Sequence, residues 1–316
     1  MMKKINDIIG DAKTIGIAGH LRPDGDCMGS CMSLYNYLKK NRPDLDVRVF
    51  LEFVDKKFNI IENTDQIITT GYDGTKFDLF ISLDTASLDR LGLNLPVYEN
   101  AKRTACIDHH ASNDGYADYN YILPKASSAS EVLYDLLDED LIDKSIAEPM
   151  YMGIAHDSGV FRFQSTTPKT MRIAANMIEK GVNVNMILEE TFFRKTYNQM
   201  MVTAKIQSEA VLALDGKCIY GYCTSEMMEE YGVTTKDLDA VVASIRNVDG
   251  VEVAMFLYQL SEDSYKVSLR SKNYVDVSKI AVENGGGGHV RAAGAEIHGK
   301  LNDIINKLLN RIKQDI

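Results

Sequence analysis

Short apolar runs alternate with longer amphipathic stretches through the first half of the chain, the pattern of strand and helix units around a largely parallel sheet. The runs at 14–18, 47–51, 80–83 and 104–107 predict strands. Residues 29–40 predict a helix on which Leu34 and Leu38 recur at helical spacing. Residues 129–141 and 167–180 predict two more, the second with Pro168 in its first turn and Gly181 at its end. Residues 184–213 hold neither Gly nor Pro and read as a continuous or broken helical connection. After Gly216 the runs 217–222, 251–257 and 265–270 predict strands, two of them joined as a hairpin across the polar residues 261–264. The expected fold class is α/β: an N-terminal domain with a mainly parallel sheet flanked by helices, joined by a helical linker to a smaller α/β domain with a mixed sheet. The boundaries fall at 1–190, 191–215 and 216–316.

Composition narrows this picture. At 316 residues, 45% hydrophobic and 25% charged, the chain is of globular type and long enough for two cores. Its net charge of −10 disfavours long duplex nucleic acid and anionic membranes, so a polyanionic partner is expected to be short. No apolar stretch reaches the length of a membrane span, and the opening Met1-Met2-Lys3-Lys4 leads into polar residues where a signal peptide needs an apolar core. A cytoplasmic location is expected. Five cysteines without a paired CxxC pattern read as reduced thiols; Cys27 and Cys31, four apart on a predicted helix, are small core residues rather than zinc ligands.

Candidate chemistry gathers where predicted strands end. After the first comes Gly19-His20-Leu21-Arg22-Pro23-Asp24-Gly25-Asp26, a turn that holds an imidazole and two carboxylates, followed by Gly29-Ser30 in a helix whose amides favour a nearby phosphate. On its own this is also a plain solvated turn. Asp84 follows the run 80–83, at the sheet edge where ligands bind in open α/β folds, although Thr85-Ala86-Ser87 also allows a helix cap. Asp108-His109-His110 ends the run 104–107, and Asp157 stands in His156-Asp157-Ser158-Gly159 after an apolar helix. Carboxylates with some imidazole suit hard or borderline divalent ions better than thiolate-bound zinc. The count is enough for two ions sharing one carboxylate, the apparatus of phosphate-ester hydrolysis.

These motifs resemble the DHH phosphoesterase family over nearly the whole chain. Near the C-terminus, Ser268-Leu269-Arg270-Ser271 and Gly285-Gly286-Gly287-Gly288-His289-Val290-Arg291-Ala292-Ala293-Gly294 resemble its DHH-associated substrate domain. The short layout is similar to the branch that holds nano-RNases, pAp phosphatases and cyclic di-AMP phosphodiesterases. The resemblance implies two divalent ions, manganese first and magnesium or cobalt as substitutes. One would be held by His20, Asp24 and Asp84, the other by Asp26, Asp84, His109 and Asp157, with Asp84 as bridge. His110 would sit beside the reacting phosphate, and Asp108 would orient it. Arg270, Ser271, Gly287, Gly288, His289 and Arg291 would hold the substrate, with Arg162 as a third basic contact. The glycine run, which alone is equally the composition of a flexible linker, then reads as backbone that approaches the nucleotide closely. One departure from the family pattern is His156, open to a ligand, phosphate-contact or surface reading; His298 reads as a surface residue.

The activity so implied is manganese-dependent hydrolysis of short oligoribonucleotides or linear dinucleotides to mononucleotides, and of pAp to AMP, by two-metal activation of water. A homodimer is consistent with the resemblance. Cyclic di-AMP phosphodiesterase is the alternative; pyrophosphatase or polyphosphatase fits the glycine-rich tail less well. A regulator that binds nucleotide without turnover is the alternative outside enzymes.

Overall fold

Strands that the chain buries on both faces build the sheet of the first unit. The computed structural model describes residues 4–70, 72, 74–238 and 241–316. The chain divides into two units, the first running to Arg194 and the second from Lys195 to Ile316.

The first unit contains α1 (Ile5–Ile9), β1 (Thr14–Ala18), α2 (Gly25–Asn41), β2 (Asp46–Phe50), β3 (Leu79–Leu83), α3 (Leu95–Glu99), β4 (Thr104–Asp108) and β5 (Tyr119–Ile122). It continues with α4 (Ala129–Leu136), α5 (Lys144–Asp157), α6 (Pro168–Glu179) and α7 (Val184–Leu188). The sheet has the order β2-β1-β3-β4-β5, and every pairing is parallel. Parallel strands are covered by helices on both faces, which is why their runs are continuously apolar instead of alternating. Ile15, Ile17, Ile81, Leu83 and Ile107 pack into the larger core with α2, α4 and α5; Ala18, Phe50 and Phe80 face a smaller cluster with Phe77, Leu91 and Val97.

Helix α2 is buried from Gly25 to Leu38, so it carries no clean polar face. It crosses α5 at close range: a Cβ on Gly29 would lie 2.4 Å from the Pro149 carbonyl oxygen. Pro149 sits inside α5 and cannot bond the carbonyl of Ser145; Asn36 Nδ2 of α2 donates to that oxygen instead, at 2.8 Å.

Two predicted helices differ from those observed. The helix expected over 129–141 stops at Leu136, because Leu137 turns extended and Asp138 caps a separate short turn, Glu139–Leu141. The stretch 184–213 divides into α7, a π turn at Glu189–Phe193, extended Arg194, α8 (Tyr197–Glu209) and the short strand β6 (Val211–Ala213). The Thr196–Gln199 capping box that starts α8 is a local signal legible in the sequence.

The second unit takes in α8 and β6, then β7 (Cys218–Cys223), α9 (Ser225–Tyr231), α10 (Val241–Ile245), β8 (Val253–Ser261), β9 (Ser264–Ser271), α11 (Val277–Val282), β10 (Gly287–His289), β11 (Ala292–His298) and α12 (Leu301–Ile312). Its mixed sheet runs β10-β11-β9-β8-β7-β6, parallel only at β7–β8. Alternate residues of β8 enter two cores. Val253, Met255 and Leu257 meet Ile280, Ile304 and Leu308, while Ala254 and Phe256 meet Val202 and Ile206 of α8.

Candidate metal and phosphate site

Three parallel strands and two helix ends deliver the acidic and imidazole groups of the first unit to one edge of its sheet. His20 lies just past β1, Asp84 directly follows β3, Asp108 closes β4 with His109 and His110 after it, and Asp157 closes α5. Asp24 is the N-cap of α2, its Oδ1 accepting from the amides of Asp26 (3.0 Å) and Cys27 (3.1 Å). That cap starts the helix at Gly25, four residues before the expected position, and sets Asp26 in its first turn.

Asp84 is the centre of the arrangement. Its Oδ2 lies 3.4 Å from His20 Nε2, and its Oδ1 lies 3.5 Å from His109 Nε2 and 3.7 Å from His110 Nδ1. His109 Nε2 is also 3.2 Å from Asp157 Oδ2, and His20 Nε2 is 3.7 Å from Asp24 Oδ1. Most of these separations exceed a good hydrogen bond, so the groups face a common centre instead of bonding one another. The donor atoms form three groups within 4.8 Å of one another: His20, Asp24 and Asp84; Asp26, His109 and Asp157; and Asp84, Asp108, His109 and His110.

The groups that hold these donors in place are as specific. His20 Nδ1 lies 2.6 Å from the Leu21 carbonyl oxygen, which turns Nε2 toward the carboxylates. Asp26 accepts from the Ala129 amide (2.6 Å), the Ser130 amide (3.0 Å) and the Ser130 hydroxyl (2.6 Å), all at the start of α4. A Cβ on Gly153 of α5 would lie 2.1 Å from Ser130 Oγ and 2.7 Å from Asp26 Oδ1, so that glycine leaves room for the pair. Asp108 bonds His110 Nδ1 at 2.8 Å through one oxygen and accepts from Asn113 Nδ2 at 2.7 Å through the other. Asn113, Ser130 and Gly153 thus shape the site from outside its acidic and histidine motifs. Asn113 follows the Asp-His-His triplet closely enough to have been suspected, whereas Ser130 and Gly153 carry no local signal.

Electrostatics test whether these residues suit cations. Burial and the Asp84 charge push the Asp26 carboxyl up to about 7. Burial, opposed by His109 but reinforced by Asp26 and Asp84, raises Asp157 well above the carboxylate range. Despite burial, the Asp84 and Asp157 carboxylates push His109 up to about 11. Against burial, the neighbouring histidines hold Asp24, Asp84 and Asp108 below the ordinary carboxylate value, whereas Asp26 and Asp157 need added positive charge to stay ionised, and an oxygen-rich set with imidazole and no thiolate fits hard or borderline divalent ions.

His156 takes none of this part. It belongs to no donor group; its ring packs against Phe58 and Phe192, Nε2 lies 2.9 Å from Thr191 Oγ1, and burial lowers its pKa to about 4. A Cβ on Gly25 would collide with it at 2.1 Å. It is a neutral packing residue beneath the start of α2.

In the second unit, sheet register puts Arg270 opposite Ala292 and Ala292 opposite His289, so the guanidinium and imidazole share one row. The glycine run is not a linker, for Gly287 and Gly288 belong to edge strand β10. A Cβ at Gly288 would lie 2.5 Å from the Ala292 carbonyl oxygen, and one at Gly286 would lie 2.1 Å from that of Gly294. Ser271 and Arg291 are drawn elsewhere. The buried Ser271 hydroxyl donates to the Val275 carbonyl at 2.7 Å, and Arg291 Nη1 donates to the same oxygen at 2.8 Å. Arg162 is exposed, with Nε bonded to the Gly159 carbonyl, and His298 is exposed as expected.

Among the described residues no helix is long and apolar enough to cross a membrane. The model of the DHH family N-terminal domain matches residues 14–154, and that of the DHHA1 domain matches residues 215–314. The chain is 31% identical over 310 residues to the bifunctional oligoribonuclease and PAP phosphatase NrnA of Thermus thermophilus, covering 96% of this chain and 90% of that one. It is 27% identical to the protein of the same name from Bacillus subtilis, with 90% of each covered. The crystal structure of an exopolyphosphatase-related protein from Bacteroides fragilis superposes with a TM-score of 0.89 at 23% identity, over 98% of this chain and 95% of that one, and so shares its fold. On both family models and a relative aligned over nearly its full length, the chain belongs to the DHH phosphoesterase family and is a hydrolase of phosphate esters.

Proposed function

We propose that this hydrolase cleaves very short oligoribonucleotides and linear dinucleotides to mononucleotides, and pAp to AMP, in the cytoplasm, with manganese as its ion. The observation that carries the reading is the convergence of His20, Asp24, Asp26, Asp84, His109 and Asp157 on overlapping donor groups at one sheet edge. The activities named for the Thermus and Bacillus relatives support the substrate class.

His20, Asp24 and Asp84 would hold one divalent ion and Asp26, Asp84, His109 and Asp157 the other. Such ions supply a more acidic water and polarise the phosphoryl oxygens. The protein's own residues do the rest. Asp84 presents one oxygen to each side and fixes the spacing of the two ligand sets. His110, its Nδ1 held by Asp108, would lie beside the phosphoryl group or the departing oxygen. The water oxygen bonds to phosphorus, the bond to the leaving oxygen breaks, and that oxygen takes up a proton. In the second unit Arg270, whose Nη1 donates to the Leu269 carbonyl at 3.0 Å, and His289 would bring positive and polar character to a phosphate beside Gly287 and Gly288 of β10. Ser271 and Arg291 support this row by fixing the turn at Val275.

Purified protein with manganese should release mononucleotides from RNA of two to five residues and from pApA, and phosphate from pAp. Intact substrates in all these reactions would overturn the proposal. A large rate advantage for cyclic di-AMP or for pyrophosphate would replace the substrate assignment while keeping the chemistry.

A further inference from the structure

We infer that the first unit carries a second ligand site, for a small organic cation, in the cavity beside the N-terminal half of α5. That cavity measures about 920 Å³ and shares no residue with the metal and phosphate site. Glu148 lines it. This residue is only 8% exposed, and its Oε1 is buried without a hydrogen bond. A carboxylate withdrawn from water is normally retained with a hydrogen-bonding partner. The cation next to it is Lys144, with Nζ 3.6 Å from Oε1 and a side chain 58% exposed. Lysine stands four residues before the glutamate here, the less favourable order for a helical pair, and at that distance it makes no hydrogen bond.

The lining holds four carboxylates, Glu62, Asp65, Asp143 and Glu148, against one cation, Lys144. Glu62 and Asp65 line the opening, both exposed, and Asp143 is already engaged by Lys40 and by capping α5. Asn63 Nδ2 donates to Asn36 Oδ1 at 2.9 Å, and the Asn63 side-chain Oδ1 is an acceptor. The half-buried side chains of Val54 and Ile60 form an apolar wall. Among the described residues, donor atoms gathered three or more together occur at the sheet-edge site and not here, which disfavours a bare metal ion. One buried acceptor, a carboxylate rim and an apolar wall match an ammonium group on a short methylene chain, that is, an alkyl diamine or triamine.

The probe is spermidine, titrated calorimetrically into the full-length protein at low ionic strength. Saturable binding is expected, about tenfold weaker in Glu148→Gln, which removes the charge without changing the shape. The Glu62→Gln/Asp65→Asn double variant should bind about threefold more weakly, as befits screened rim charges, and it carries the test should Glu148→Gln fail to fold. Asp84→Asn should bind spermidine as the wild type does, which separates this cavity from the carboxylates at the sheet edge. Absence of saturable binding, equal affinity in the Glu148 and rim variants, or loss of binding in Asp84→Asn would each overturn the inference.

Discussion

Asp84 has a left-handed backbone, with φ 53°, in a residue only 3% exposed. Such a conformation costs on the order of 1 kcal/mol and persists where neighbours over-determine it. Here the next residue is pinned, because the Thr85 carbonyl accepts from Asn113 Nδ2 (3.1 Å) and Tyr116 Oη (3.0 Å). Asp84→Asn should lower hydrolysis by about 10³-fold, the equivalent of a few kcal/mol of lost charge stabilisation, while circular dichroism and melting temperature stay close to wild type. A variant that kept full turnover would remove Asp84 from the mechanism. A second prediction concerns Glu252 in the other unit. It is buried, yet the amides of Asn273, Tyr274 and Val275 and the Asn273 side chain all donate to its carboxylate. Against the effect of burial, these bonds hold its pKa below the ordinary glutamate value. Its stabilisation is therefore complete above the unfolded pKa of about 4.3 and fades as pH falls through the lower folded value. Glu252→Gln should cost about 1.5–3 kcal/mol in urea unfolding at pH 7, and the gap to wild type should close in more acidic solution. The converging donor residues were legible because their types recur at strand ends; Glu252 was not, because nothing near it in sequence marks the turn it holds.

At the scale of elements, the close crossing of α2 and α5 brings Asp26 and Asp157 into one group. Gly153 enables it from α5 and Gly29 from α2, each replacing a side chain that would strike backbone or a polar pair. Gly153→Val should destabilise the fold by about 1–3 kcal/mol through overpacking. It should also reduce hydrolysis, since the new side chain would displace Ser130 from Asp26. Unchanged melting and activity would show that the crossing has slack the geometry does not reveal. In the second unit, Gly288→Val tests the edge strand. With φ 140° and a carbonyl 2.5 Å from the added Cβ, β10 should part from β11, and KM for dinucleotides should rise more than kcat falls. The strands β1 to β4 could be read from apolar runs. The edge strands β5, β6 and β10 could not, because they are only three or four residues long, too short for an apolar run to register, and the glycines of β10 resemble those of a loop.

For the molecule as a whole, a net charge of −10 and two buried carboxylates of raised pKa, Asp26 and Asp157, both place a premium on bound cations. Manganese at about 100 times its dissociation constant should stabilise the protein by about 2.7 kcal/mol, read as a higher melting temperature that chelator reverses. No shift in either direction would mean that the converging donors do not hold the ion. The family, the α/β class and the donor residues were all present in local features: apolar runs, caps, and acids or histidines repeatedly placed after strands. Those features depend on residues within a few positions of one another, and backbone periodicity carries them directly into structure. Other features needed the folded chain. Ser130 reaches Asp26 across 104 positions, Glu252 organises a turn about two dozen residues away, and His156 became a packing residue only because α2 and a π turn close around it. Contacts of that kind arise from how packed elements exclude water and bring distant backbone together, and no short stretch of sequence encodes which partner will be there.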